Sequence, residues 1–244
     1  MRRRTLTELA NNPDLISGIY NYCDRWCERC PLTSRCLVYA TEQEQDDSPG
    51  NRDIHNEAFW KKLGSIFKET RKMIAEWATD AGLDLTEPIA EDESSSRRKR
   101  QLVDNHPLAK AGKKYANAAS EWFREFDHEH AESLEEAREV IQWYQYQIAV
   151  KTMRALSGRR EELDEDPELP KDSDGSAKVA LIGIDRSIAA WRLMQLSLPQ
   201  RAETIITLIL QLEKLRTRLE HGFPNARDFV RPGFDAPFGQ DYRI

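Results

Sequence analysis

Apolar residues recur along most of the chain at helical spacing. Phe59, Leu63, Ile66, Phe67, Met73 and Trp77 mark one face of a helix predicted over Asp53–Ala81, with Gly82 as its stop. Ile205, Leu208, Leu212, Leu215 and Leu219 mark another, ended by Gly222. Such a stripe serves either as core or as a dimer seam. Further helices are predicted from Pro107 to Phe126 and from Ala177 to Leu196. A third, from Ser133 to Ser157, opens on a Ser-x-x-Glu capping box and stops before Gly158. Ser197 to Gln200 repeats the box pattern, so a new helix should follow almost at once. No run alternates apolar and polar residues as a half-buried strand does.

Polar breaks separate these segments. Residues 87–104 and 158–176 read as mobile linkers by composition. Near the N-terminus, Asn12-Pro13-Asp14 reads as a cap, a first-turn proline and an acid at the positive helix end. A short helix is therefore expected from Pro13 to Cys30, where Pro31 discourages continuation, with a helical turn over Arg35–Thr41. The tail, 223–244, holds three prolines and four phenylalanines and reads as extended. The expected fold is all-α: a bundle of four to five long helices, a short cysteine-bearing N-terminal helix and an extended C-terminal tail. Residues 1–41 would form the cysteine segment and 52–222 the bundle.

Charge narrows the function. The formal net charge is -6, and an acidic chain lacks the basic face that phosphate contacts need. Arg97–Arg100 form one basic run, but four acids precede it between Glu87 and Glu93, so a solvated segment is the better reading. No run approaches the roughly 20 apolar residues of a membrane span. Arg2–Arg4 lead into no apolar segment, which argues against a signal peptide. The expectation is a soluble, cytoplasmic protein. Thiols stay reduced there, so clustered cysteines point to metal rather than disulfides.

All four cysteines lie within fourteen residues, as C-x3-C-x2-C-x5-C: Cys23, Cys27, Cys30 and Cys36. On an intact helix the first three fall within about 60° of one face, and Cys36 returns after the proline. Cys23 and Cys30 are then about 10.5 Å apart along the axis. Tetrahedral zinc needs sulfurs only roughly 3.8 Å apart, because its Zn–S bonds are about 2.3 Å. A [4Fe-4S] cluster spreads its thiolates more widely, so an intact helix favours the cluster over Zn2+. Tyr20, Tyr22, Trp26 and Tyr39 would shield the site, and Arg25, Arg29 and Arg35 would raise its potential.

Cys23–Cys30 resembles the C-x3-C-x2-C triplet of radical S-adenosylmethionine enzymes. Those enzymes need alternating strands and helices and leave one iron open, whereas Cys36 would fill that iron here. Cys27–Cys36 is similar to the iron–sulfur staple of some RecB-type nucleases, whose carboxylate–lysine core has no counterpart in this chain. Both likenesses are local and speak to the cofactor alone.

Two other candidates have weaker patterns. Glu125-Phe-Asp-His128 matches one half of a di-iron bundle site, but no second copy exists, and His55, His106, His130 and His221 show no shared ligand spacing. Asp185 interrupts an apolar face, and Lys151 continues the stripe of Val140, Tyr144 and Ile148. A buried charge needs a partner, so Asp185 is expected to pair with Lys151 or Arg154. Three functions follow. The first is an iron–sulfur protein of electron transfer or redox sensing, acting with a protein partner. The second is an adaptor pinned by a four-cysteine zinc site, and the third an enzyme built on the Asp185–Lys151 pair.

Overall fold

The structure, a computed structural model, describes residues 6–44, 54–83, 93–126, 132–161 and 171–235. They form eight α-helices: α1 (Leu6–Ala10), α2 (Leu37–Glu44), α3 (Glu57–Asp80), α4 (Glu93–Asn105), α5 (Pro107–Phe126), α6 (Glu135–Glu161), α7 (Asp172–Ser197) and α8 (Ala202–Gly222). No strand occurs among the described residues. The chain is all-α, and among the described residues no helix is long and apolar enough to cross a membrane.

The described residues divide into two compact units. The larger holds 21–26 together with α4 to α8 and the turns that follow to 235. Within it α5 packs on α6, α6 on α7, α7 on α8, and α8 on α5, while α4 lies against α5 and α6. The interior is rich in aromatic groups. Trp191 and Tyr115 are fully buried, and the Trp191 Nε1–H donates to the Tyr115 hydroxyl at 2.9 Å. Burial pushes the Tyr115 phenol up to about 12. The α8 stripe of Ile205, Leu208, Leu212, Leu215 and Leu219 is buried in this core, which absorbs the face that a dimer seam would use.

The two segments read as linkers carry helix. Residues 93–105 are α4, with Arg97–Arg100 exposed on it and Val103 turned into the core. α6 runs through Gly158 to Glu161, and α7 starts at Asp172 with Ser173, Asp174, Gly175 and Ser176 buried. Composition misleads here because small polar residues tolerate close packing, and Asp172 and Asp174 complement the positive end of the helix. Residues 87–92 and 162–170 lie outside the described residues, as do His128 and His130. After α8 the chain makes turns from 223 to 235, with Phe223 and Ala226 buried. Residues 236–244 of the expected tail are outside the described range.

The smaller unit holds 6–20 and 27–83 of the described residues. Within it α1 packs on α2. α3 is capped by Asn56, whose Oδ1 accepts from the Ala58 N–H at 2.9 Å, and Gly82 ends it at φ 68°.

Candidate functional site

The helix expected from Pro13 to Cys30 is not formed. Residues 11–36 are turns broken by single 3-10 turns at Ile19–Asn21, Cys27–Arg29 and Thr33–Arg35. The sequence contains the reasons. Asn12 Oδ1 accepts from the Asp14 N–H at 3.0 Å, so the Asn-Pro-Asp motif closes a turn on itself instead of starting a helix. Gly18 adopts φ 70° and Arg25 adopts φ 58°, both left-handed. Asp24 Oδ1 takes the Trp26 N–H at 3.2 Å, which closes a second such turn across Arg25.

In the smaller unit the cysteine turns are tied down locally. The Ile16 N–H donates to Arg35 O at 3.0 Å, and Arg35 Nε donates to Asp14 O at 3.1 Å. The Cys30 N–H returns to Cys27 O at 3.2 Å, and the Leu32 N–H donates to Cys30 Sγ at 3.4 Å. Leu32 is buried, and Cys36 enters α2 from an extended conformation. Cys27, Cys30 and Cys36 are each half-buried.

Cys23 belongs to the larger unit, on the segment 21–26, which α6 and α7 hold in place. Trp143, Gln147 and Lys151 are four residues apart on α6 and share one face. Trp143 Nε1 donates to Asp24 O at 2.8 Å, Gln147 Nε2 donates to the same carbonyl, and Lys151 Nζ donates to Asn21 O at 3.0 Å. The Asp24 carboxylate accepts from the Tyr144 hydroxyl and from Arg186 Nη1, the latter at 3.0 Å, and Arg186 also donates to the Tyr144 oxygen. Burial first, then Asp24, drives the Tyr144 phenol well above its ordinary range. Trp26 stacks on Trp143 with centroids 5.0 Å apart. Tyr22 is buried against Phe229, 4.8 Å between centroids. It also lies against the α7 backbone: a Cβ on Gly175 would stand 2.4 Å from Tyr22 Cε1.

Lys151 is the functional candidate whose surroundings the sequence misassigned. It is buried, and burial lowers its ammonium from the ordinary value; the nearby Cys23 opposes that shift, while Arg154 and Arg25 reinforce it. Asp185 is not its partner. Asp185 accepts from Arg227 Nη1 at 2.6 Å and from Arg216 Nη1 at 3.2 Å, and Arg154 pairs with Asp172 at 3.3 Å. The apolar face on which Asp185 sits ends at α8 and the following turns, which supply the arginines. A cavity of about 200 Å³ lies between α4 and α6, lined by Leu102, Val103, His106, Leu156, Arg159 and Arg160. Neither Asp185 nor Lys151 borders it, and the two hold different partners.

Of the shielding groups named above, Tyr22 and Trp26 pack within the larger unit and Arg25 is exposed. Asp24, Trp143, Gln147 and Arg186 carry no local signal in the sequence; of this group only Tyr144 stands on the apolar stripe with Val140 and Ile148. Among the described residues no three His, Cys, Asp or Glu side chains are grouped as ligands of one ion, and none of the four cysteines forms a disulfide. No protein-family model matches the chain, and no curated protein or solved structure matches it.

Proposed function

We propose that Cys23, Cys27, Cys30 and Cys36 bind a [4Fe-4S] cluster and that the protein serves electron transfer or redox sensing in the cytoplasm, with a protein partner. The observation that carries this reading is the density of the ligands. Gaps of three, two and five residues place four thiols within fourteen. Iron–sulfur runs are crowded in this way. Four-cysteine zinc sites instead set two close pairs a dozen or more residues apart. The Leu32 N–H points at the Cys30 sulfur and the buried Lys151 lies near Cys23, surroundings of the kind that tune a bound cluster. Four cysteines on one cluster leave no open iron, which favours electron transfer over substrate chemistry.

One observation favours the second reading, an adaptor with structural Zn2+. Without a helix through Cys27, the axial separation that discouraged tetrahedral zinc no longer applies. Isolation without oxygen separates the two. A brown protein whose broad absorption bleaches with dithionite supports the cluster. A colourless protein with one zinc per chain sinks it.

A further inference from the structure

α4 and α6 do not close fully on each other. They leave the cavity of about 200 Å³, and its walls are apolar. Val103 and Leu156 are buried there, while Leu102 is 46% exposed. An apolar cavity of about 150 Å³ takes benzene, so this one suits roughly six to eight carbon atoms.

The charged groups at the cavity carry one sign. Its other lining residues are His106, Arg159 and Arg160, with no acidic side chain among them. Arg159 is fixed by its bond to Gly222 O and by the Phe223 ring, whose centroid lies 5.4 Å from its guanidinium carbon. Arg160 is exposed. Neither arginine pairs with a carboxylate among the described residues, whereas Arg154 on the same helix holds Asp172. His106 adds a neutral donor. Its Nδ1 accepts from the Leu108 N–H, so the ring proton sits on Nε2. Burial and then the Arg159 charge lower its pKa, which keeps the ring uncharged at pH 7.

An apolar hollow with a few convergent polar groups is the usual form of a small-molecule site. The donors here select an anionic head, and a guanidinium fork matches the two oxygens of a carboxylate. A bare inorganic anion would leave the apolar walls unused. A neutral hydrocarbon would leave both guanidiniums unpaired, and a long-chain lipid would exceed the volume.

We infer that this cavity binds a small amphiphilic carboxylate, its tail among Leu102, Val103 and Leu156 and its head on Arg159, Arg160 and the His106 Nε2–H. The site does not involve the cysteines. The test is titration of the full chain with sodium octanoate, followed by calorimetry and by NMR of the histidine ring protons. The His106 signal is identified by its loss in His106→Asn. Octanoate should bind once per chain with a Kd on the order of 1 mM or below and should move the His106 signal. Octan-1-ol should bind at least about tenfold more weakly, and acetate should leave His106 unmoved. Arg160→Gln changes an exposed residue, so the fold survives, as far-UV circular dichroism will verify. It should weaken octanoate at least about threefold and leave octan-1-ol unchanged. Octanoate binding no tighter than octan-1-ol, binding that leaves His106 unmoved, or an affinity indifferent to Arg160→Gln would each overturn the proposal. So would inorganic phosphate that moves the His106 signal as strongly as octanoate, since the site would then read charge alone.

Discussion

Asp24 does the most work of any single residue. Its carboxylate takes the Tyr144 and Arg186 donors and the Trp26 amide, while its carbonyl takes Trp143 and Gln147. Asp24→Ala strands the Tyr144 hydroxyl and should lower stability by about 2 kcal/mol, read as a reduced midpoint in urea. Asp24→Asn should lose less, because the amide oxygen still accepts. Nothing in the sequence singles out Asp24, since its partners lie some 120 or more residues away. His106 shows the opposite case, a residue near a helix end whose role follows from its position. It precedes Pro107, and its Nδ1 accepts from the Leu108 N–H at 3.2 Å, capping α5. Burial and then Arg159 hold its pKa below 6.5. The unfolded chain therefore takes up a proton near pH 6.5 that the folded chain refuses. Stability should fall as pH drops through that value, and His106→Asn, which keeps a capping oxygen, should flatten this part of the profile. An unchanged slope in the variant would remove His106 from the account.

The long helices were legible because their apolar spacing is strong and their ends carry local signals. Asn56 and Gly82 bracket α3 close to the expected place, and α5 matches the prediction at both ends. Legibility failed where tertiary contacts overrule local preference. A helix is expected over 13–30, yet the Asn21 and Asp24 carbonyls and the Asp24 carboxylate are taken by α6 and α7, and local turns take the rest. The start of α7 is polar in composition but is buried because Gly175 lets Tyr22 approach. A pair of substitutions tests this contrast. Gly175→Ala puts a methyl group into Tyr22 and should destabilise by roughly 1–3 kcal/mol, with disturbed fluorescence from the Trp26–Trp143 stack. Gly64→Ala on α3 meets nothing within 4 Å and should stabilise by about 0.5–1 kcal/mol. Equal effects from the two would contradict the packing described for the 21–26 segment.

Across the whole chain, the cysteine motif remains the strongest chemical signal, and its four members are read from spacing rather than from helix geometry. The all-α class followed from periodicity alone. The electrostatic neighbour of Cys23 did not, because Lys151 looked like the end of an apolar stripe and turned out to reach the segment that carries the first cysteine. If a cluster is bound there, removing this buried cation should favour the oxidised form. Lys151→Met should then lower the midpoint potential, measured by dye-mediated titration of the loaded protein, without changing its iron content. The central claim stands on cofactor identity. Iron and acid-labile sulfide should be quantified, with zinc, in protein isolated without oxygen. About four iron and four sulfide per chain, lost together in Cys30→Ser, is the result expected of a [4Fe-4S] centre. One zinc per chain with no sulfide, or no metal at all, would contradict it.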